Sequence, residues 1–207
     1  MILNETDISK MDRYYRANLI NSITGYKSIN LIGTISKNGI PNLAVFSQVI
    51  HLGADPPLIG VIFRPVIKGM NTLENAEETG CFTLNHVMPD MVQKAHWTSA
   101  KWQVPEFSEV GFEEEYKKGF PAPFVKESQV KIGLHFEAKY PIKINGTYLA
   151  AGRIEILEVP DFAVGSDGFV DLLKTETVAG FGLDGYYSSG SFVRYSYAKP
   201  DKMPDPI

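Results

Sequence analysis

Arg64, Lys68, Asn71 and Thr72 place a guanidinium, an ammonium, an amide and a hydroxyl in one short segment, between an apolar run and a helix-like stretch. That combination suits an anion. The two cations supply charge, the hydroxyl supplies a hydrogen bond, and free N–H groups at a helix start complete the cradle. A solvated loop ending in an N-cap would use the same residue types. A second set, Asn42, Ser47 and Gln48, interrupts the otherwise apolar stretch GIPNLAVFSQV. These side chains either decorate the wet face of an edge strand or read the polar edge of a planar ligand, helped by backbone N–H groups beside a bulge. Asn42 and Ser47 have opposite parity, so both meet one ligand only if the strand bends between them. A third pair, Asn85 and His86, closes the run CFTLNH. The amide can donate to and accept from a heterocycle, and the imidazole can give a proton or meet a phosphate. A strand-end cap and a surface histidine would read the same way.

Other chemistries find little support. The four histidines, His51, His86, His96 and His135, have no ligand spacing, and the single cysteine, Cys81, has no companion, so no metal site is expected. Cys81 lies inside an apolar run and reads as a buried, inert thiol. One cysteine excludes an internal disulfide. The nucleophile elbow Gly-x-Ser-x-Gly and the dinucleotide fingerprint Gly-x-Gly-x-x-Gly are both missing. The net charge of -4, with no basic block, argues against nucleic acid as a partner. The start MILNETDISKMDRYYR shows no positive region followed by an apolar run, and no apolar run reaches membrane-spanning length. A soluble cytoplasmic protein without a membrane partner is the expectation.

The elements that must position these groups are mostly strands. SINLIGTIS and the GIPNLAVFSQV stretch flank Lys37-Asn38-Gly39-Ile40, which reads as a tight two-residue hairpin loop because Asn and Gly tolerate positive φ. Asp55-Pro56-Pro57 breaks the return strand, and LIGVIF follows as a buried strand. Residues 71–80 read as a short helix ended by Gly80, and CFTLNHV as a strand. Pro89 opens a helix candidate running to Ala100. Residues 101–127 form a long aromatic-rich excursion with an embedded turn of helix. Two long strands, Val130–Lys139 and Thr147–Val159, flank a second Asn-Gly turn at Asn145-Gly146. Two hairpins and few long helices predict a mainly β fold, an antiparallel barrel with peripheral helices, as a single domain over residues 1–207.

The ordered segments NGIPNLAVFSQV, DPPLIGVIFRP and KGMNTLENAEETGCFTLNHV, followed by EFSEVGF and FPAPFVKESQVKIGLHFEA, resemble the flavin reductase-like family with the FMN-binding split barrel, especially its flavoredoxin-type members. The resemblance runs from about residue 14 to about residue 195, with Gly185-Tyr186 as a closing element. It implies a six-stranded antiparallel split barrel, a homodimer, and FMN near the subunit interface. It also implies that the Asn42–Gln48 strand, with Ala44, Phe46 and Ser47, lies along the isoalloxazine ring. Arg64, Lys68 and Thr72 would approach the phosphate, while Asn85 and His86 would sit near the flavin. The family often has an aspartate before the threonine, where this chain has Asn71. The implied activity is hydride transfer from NADH or NADPH to FMN, then electrons onward to a small-molecule or protein acceptor. The flavin carries that chemistry, so no catalytic side chain is assigned. A flavin carrier without NAD(P)H activity, and a non-redox ligand- or protein-binding barrel, remain as alternatives.

Overall fold

In a computed structural model of the chain, residues 1–65, 72–188 and 190–196 are described. Two helices lead, α1 (Glu5–Ser9) and α2 (Arg13–Ser22), capped by the side chains of Asn4 and Asp12. The strands β1 (Lys27–Ser28), β2 (Asn30–Ile35), β3 (Pro41–Phe46), β4 (Val49–Ala54) and β5 (Pro57–Phe63) follow in quick succession. Next come α3 (Thr72–Thr79), β6 (Cys81–His86), a 3-10 turn at Pro89–Met91, α4 (Val92–Trp97) and α5 (Glu106–Val110). The short pair β7 (Glu114–Glu115) and β8 (Phe124–Val125) precedes the long hairpin β9 (Lys131–Ile142) and β10 (Thr147–Glu158). The strands β11 (Ala179–Phe181) and β12 (Gly185–Tyr187) pair with each other, and β11 pairs with β1.

The large sheet has seven antiparallel strands in the order β3-β2-β6-β9-β10-β5-β4. Its two edge strands are neighbours in the chain, joined only by Ser47 and Gln48. Laid flat, seven strands would separate those edges by about 29 Å. Three Cα–Cα steps span at most about 11 Å. The sheet must therefore curl until β3 and β4 approach each other. The resemblance implied six strands; the seventh arises because the chain turns at Ser47, so that the stretch after Phe46 forms a strand of its own, β4.

Curling gives the sheet an inside and an outside. Ile32, Phe82, Leu84, Leu134, Val61 and Phe63 pack inside. Outside, Leu31, Leu43 and Val87 are covered by Met91, Ala95 and Phe107 from the α4–α5 region, together with Val125. The embedded turn of helix expected in the excursion is α5, whose Phe107 is 1% exposed. Both Asn-Gly hairpins form, with longer loops than a two-residue turn. Ser36 pairs with Ile40, and only Gly39 takes a positive φ, at 77°. The helix expected from Pro89 to Ala100 starts as the 3-10 turn and becomes α-helical only over Val92–Trp97.

Candidate functional site

Strand β3 offers its two faces to different tasks. Asn42, Ala44 and Phe46 alternate onto the inner face, where the Phe46 and Phe63 rings meet edge-on at 5.0 Å. Leu43 and Val45 point outward into the helix-covered core. The outer edge of β3 is already occupied. The Leu43 N–H donates to Glu106 Oε2 at 3.1 Å, and the Val45 N–H donates to Thr98 Oγ1 at 2.9 Å. Those two amides are therefore engaged within the protein. Burial pushes the Glu106 carboxyl above its usual range, partly offset by the Leu43 N–H.

Asn42 is the hub at the start of β3. Its Nδ2 donates to Thr72 Oγ1 at 3.1 Å and to Thr34 Oγ1 at 3.3 Å. Asn75 Nδ2, one turn into α3, donates to the same Thr34 oxygen at 3.2 Å. These bonds fasten the start of α3 to β2 and β3. Thr72 is 8% exposed and accepts the Asn42 amide through its oxygen, and among the described residues its hydroxyl proton has no acceptor. Arg64 follows the last residue of β5 and is exposed. The Gln48 carbonyl accepts from the Ile62 N–H at 2.9 Å, which brings the Ser47-Gln48 link beside the β5 end that leads into Arg64. The fold thus gathers Asn42 with Thr72, and Phe46, Ser47 and Gln48 with Phe63 and Arg64. Ser47 is half-buried and Gln48 exposed. Lys68 and Asn71 lie outside the described residues.

Asn85 and His86 part company. As consecutive strand residues they face opposite sides of the sheet. Asn85 is 0% exposed on the outer side. Its Nδ2 donates to the Leu31 carbonyl and Thr83 Oγ1, both at 3.0 Å, and its Oδ1 accepts from the Val125 N–H at 2.9 Å. The amide is spent pinning the aromatic excursion to the sheet, a different placement from the flavin contact that the resemblance implies. His86 lies on the inner side, directly opposite Asn30 across β2. Burial lowers its pKa to about 4, so the ring is neutral at pH 7 and is no cation for a phosphate. Its Nδ1 lies 3.1 Å from Thr177 Oγ1, which is 3.0 Å from Thr175 Oγ1, and Thr175 donates to the Leu172 carbonyl. With the Thr175 proton used there, Thr177 gives its proton to Thr175 and accepts from His86. This assigns Nδ1–H and leaves Nε2 as a lone-pair acceptor.

Sequence reasoning gave no sign of Thr34, Asn75, Thr98 or Glu106. Each is an ordinary polar residue whose role depends on packing between elements distant in sequence. Among the described residues no group of three His, Cys, Asp or Glu side chains converges as a metal site. No helix there is long and apolar enough to cross a membrane. Cys81 is buried, and burial raises its pKa, as expected for an inert thiol.

Comparison with known proteins agrees with this arrangement. The family model described as "Flavin reductase like domain" matches residues 27–171. A crystal structure from Shewanella frigidimarina NCIMB 400, named for a split barrel domain and an inferred flavin reductase role, is 43% identical and superposes with a TM-score of 0.92, over 96% of this chain and 100% of that one. Nitrilotriacetate monooxygenase component B from Bacillus cereus shares the fold at 18% identity, with a TM-score of 0.81 over 93% of this chain and 96% of that one. An uncharacterized protein from Halalkalibacterium halodurans is 32% identical over 180 residues, covering 83% of this chain and 84% of its own length. With the match spanning every strand of the large sheet, the start of α3 and the Arg64–Thr72 segment, the chain belongs to the flavin reductase-like domain family.

Proposed function

We propose that the protein is an FMN-dependent oxidoreductase that takes a hydride from NADH or NADPH and passes electrons to a small-molecule or protein acceptor. The observation that carries this reading is the Asn42–Thr72 hydrogen bond, which orients the Thr72 hydroxyl at the start of α3, at the end of the sheet that also bears exposed Arg64. A phosphate monoester suits that donor set: a guanidinium, the Lys68 ammonium, a hydroxyl and helix-start N–H groups. When bound, FMN would supply the ring that accepts a hydride and releases electrons onward. The chain's own residues bind and orient. Arg64, Lys68 and Thr72 would hold the phosphate, and Asn42 sets the direction of the Thr72 hydroxyl. Ala44, Phe46, Ser47 and Gln48 would form the wall along the ring, with Ser47 and Gln48 offering the polar groups that β3 itself has already committed to Thr98 and Glu106. We read the curled sheet as a barrel split between β3 and β4, and the protein as cytoplasmic and dimeric.

The test begins with the absorbance spectrum of the purified protein, with and without added FMN, followed by anaerobic mixing with NADH and NADPH. Flavin bands that bleach on mixing support the reading. A protein that takes up no FMN overturns it, and bound flavin that neither nucleotide reduces makes the protein a flavin carrier. Arg64→Ala should weaken FMN binding by roughly tenfold to a hundredfold, the worth of a charge-assisted hydrogen bond. An unchanged FMN Kd in correctly folded Arg64→Ala would place the phosphate elsewhere.

A further inference from the structure

The curled sheet holds a cavity of about 430 Å³ at the end away from Arg64. Leu58 and Ile59 at the start of β5 line it, whereas Arg64 follows that strand's last residue. Leu84, Ile132 and Ile154 supply further apolar walls. Four residues with polar side chains line it: Asn30 and His86, paired across β2 and β6, and nearer the rim His51 and Ser28, whose hydroxyl donates to the Val49 carbonyl. Among the described residues lining it there is no lysine, arginine, aspartate or glutamate. Asn30 is 2% exposed, and its Oδ1 is buried with no hydrogen-bond partner among the described residues.

A buried amide oxygen without a partner lowers stability, and native proteins keep few of them. Leucine would match asparagine in size and remove that cost. The cavity falls in the range that small-molecule sites occupy, with apolar walls and a few placed polar groups. We propose that this cavity binds a small, uncharged aromatic ring carrying an amide edge, whose N–H donates to Asn30 Oδ1. The hydrogen-bond chain through Thr177 and Thr175 leaves His86 Nε2 as a second acceptor for a primary amide. A carboxylate would find no lysine or arginine among the described residues that line the cavity. None of Asn42, Arg64 and Thr72 lines the cavity, so the site stands apart from the anion cradle and does not depend on the flavin reading.

Benzamide is the probe, with benzoate and toluene as near-isosteric controls, titrated into the full chain with and without FMN. Methyl resonances of Leu84, Ile132 and Ile154 report the location. Benzamide should bind at least tenfold more tightly than either control, and its shifts should map to those methyls whether or not FMN is present. Asn30→Leu should weaken benzamide at least tenfold and tighten toluene, a switch that a merely structural asparagine would not produce. Ile154→Phe, which fills the cavity from another wall, should abolish benzamide binding and serves if Asn30→Leu fails to fold. Benzamide no tighter than toluene, binding unchanged in Asn30→Leu, binding retained in Ile154→Phe, or displacement in step with added FMN would each overturn the proposal.

Discussion

His86 is held neutral by burial, with its pKa lowered to about 4 against 6.5 for an ordinary imidazole. Between those values the unfolded chain binds a proton that the native state refuses, so stability falls as pH drops from about 6.5 to about 4 and levels off below. The full loss is of the order of 3 kcal/mol. Replacing the titrating group with an amide in His86→Gln removes this component. In urea titrations at pH 7 and pH 4, the deficit of the variant relative to the parent should shrink by that amount. A constant gap would mean that His86 protonates freely in the native state. The adjacent Asn85 behaves differently, because all its polar contacts are internal. Asn85→Ala leaves the Val125 N–H without its buried acceptor and should cost about 1–3 kcal/mol in the same measurement. The sequence marked both residues as chemically able, and strand parity separates them. Parity was legible for Asn42 and Ser47. Which side of β6 faces inward was not, because both sides of that strand are buried and its apolar pattern is nearly continuous.

At the scale of elements, the edge of β3 shows how a strand end is finished by side chains from afar. Glu106 and Thr98 accept the two N–H groups that an edge strand would otherwise leave exposed. Burial raises the Glu106 pKa, so its carboxyl is most compatible with the fold when protonated. The sign follows directly: this contribution is present at low pH and is lost as pH rises through the raised value. Glu106→Gln keeps an acceptor for Leu43 N–H and cannot ionise. The melting temperatures of parent and Glu106→Gln should therefore diverge above about pH 5 in favour of the variant, the pH at which an ordinary glutamate is largely ionised. Melting curves that stay parallel across that range would show the carboxylate to be fully solvated. The strands β2, β3, β5, β6, β9 and β10 were legible from apolar runs and Asn-Gly turns. The helices that close the β3 edge were less so, since α4 and α5 are short and are fixed by packing on Leu43 and Val45 more than by their own pattern. The separate strand β4 was hidden for a simpler reason. Ser47 carries no breaker signal, and only the curl of the whole sheet forces a turn there.

On the scale of the whole molecule, the described residues cover the outside of the curled sheet unevenly. Helices and the aromatic excursion shield β2, β3, β6 and the Gly133–Ile156 end of β9 and β10, while among the described residues no helix packs on the outer wall formed by β4, β5 and the far end of the β9–β10 hairpin. Apolar side chains gather on that wall. Ile50, Leu52 and Leu149 converge over Gly60, where an added Cβ would lie 2.9 Å from Leu149 Cδ1. Tyr140 pairs with Leu149 on the same face and is 57% exposed, and Leu52 is 40% exposed. Gly60 thus makes room for its neighbours to lie flat as one surface. A contiguous apolar patch next to an unpaired edge strand marks an association surface, and a second copy of this chain is the partner we infer from it. An isologous contact would bring each copy's Leu52 near the twofold axis and bury both patches at once. Light scattering at micromolar concentration should give twice the chain mass for the parent. Leu52→Glu should give the single mass with unchanged circular dichroism, because the side chain is exposed in the isolated chain and its replacement leaves the core intact. A parent that runs as a monomer, or a Leu52→Glu dimer as tight as the parent, would move the interface off this wall. FMN titration of the monomeric variant then decides whether the flavin site needs the partner. An FMN Kd weakened by tenfold or more would place part of the site across the interface, and an unchanged value would confine it to residues of one chain.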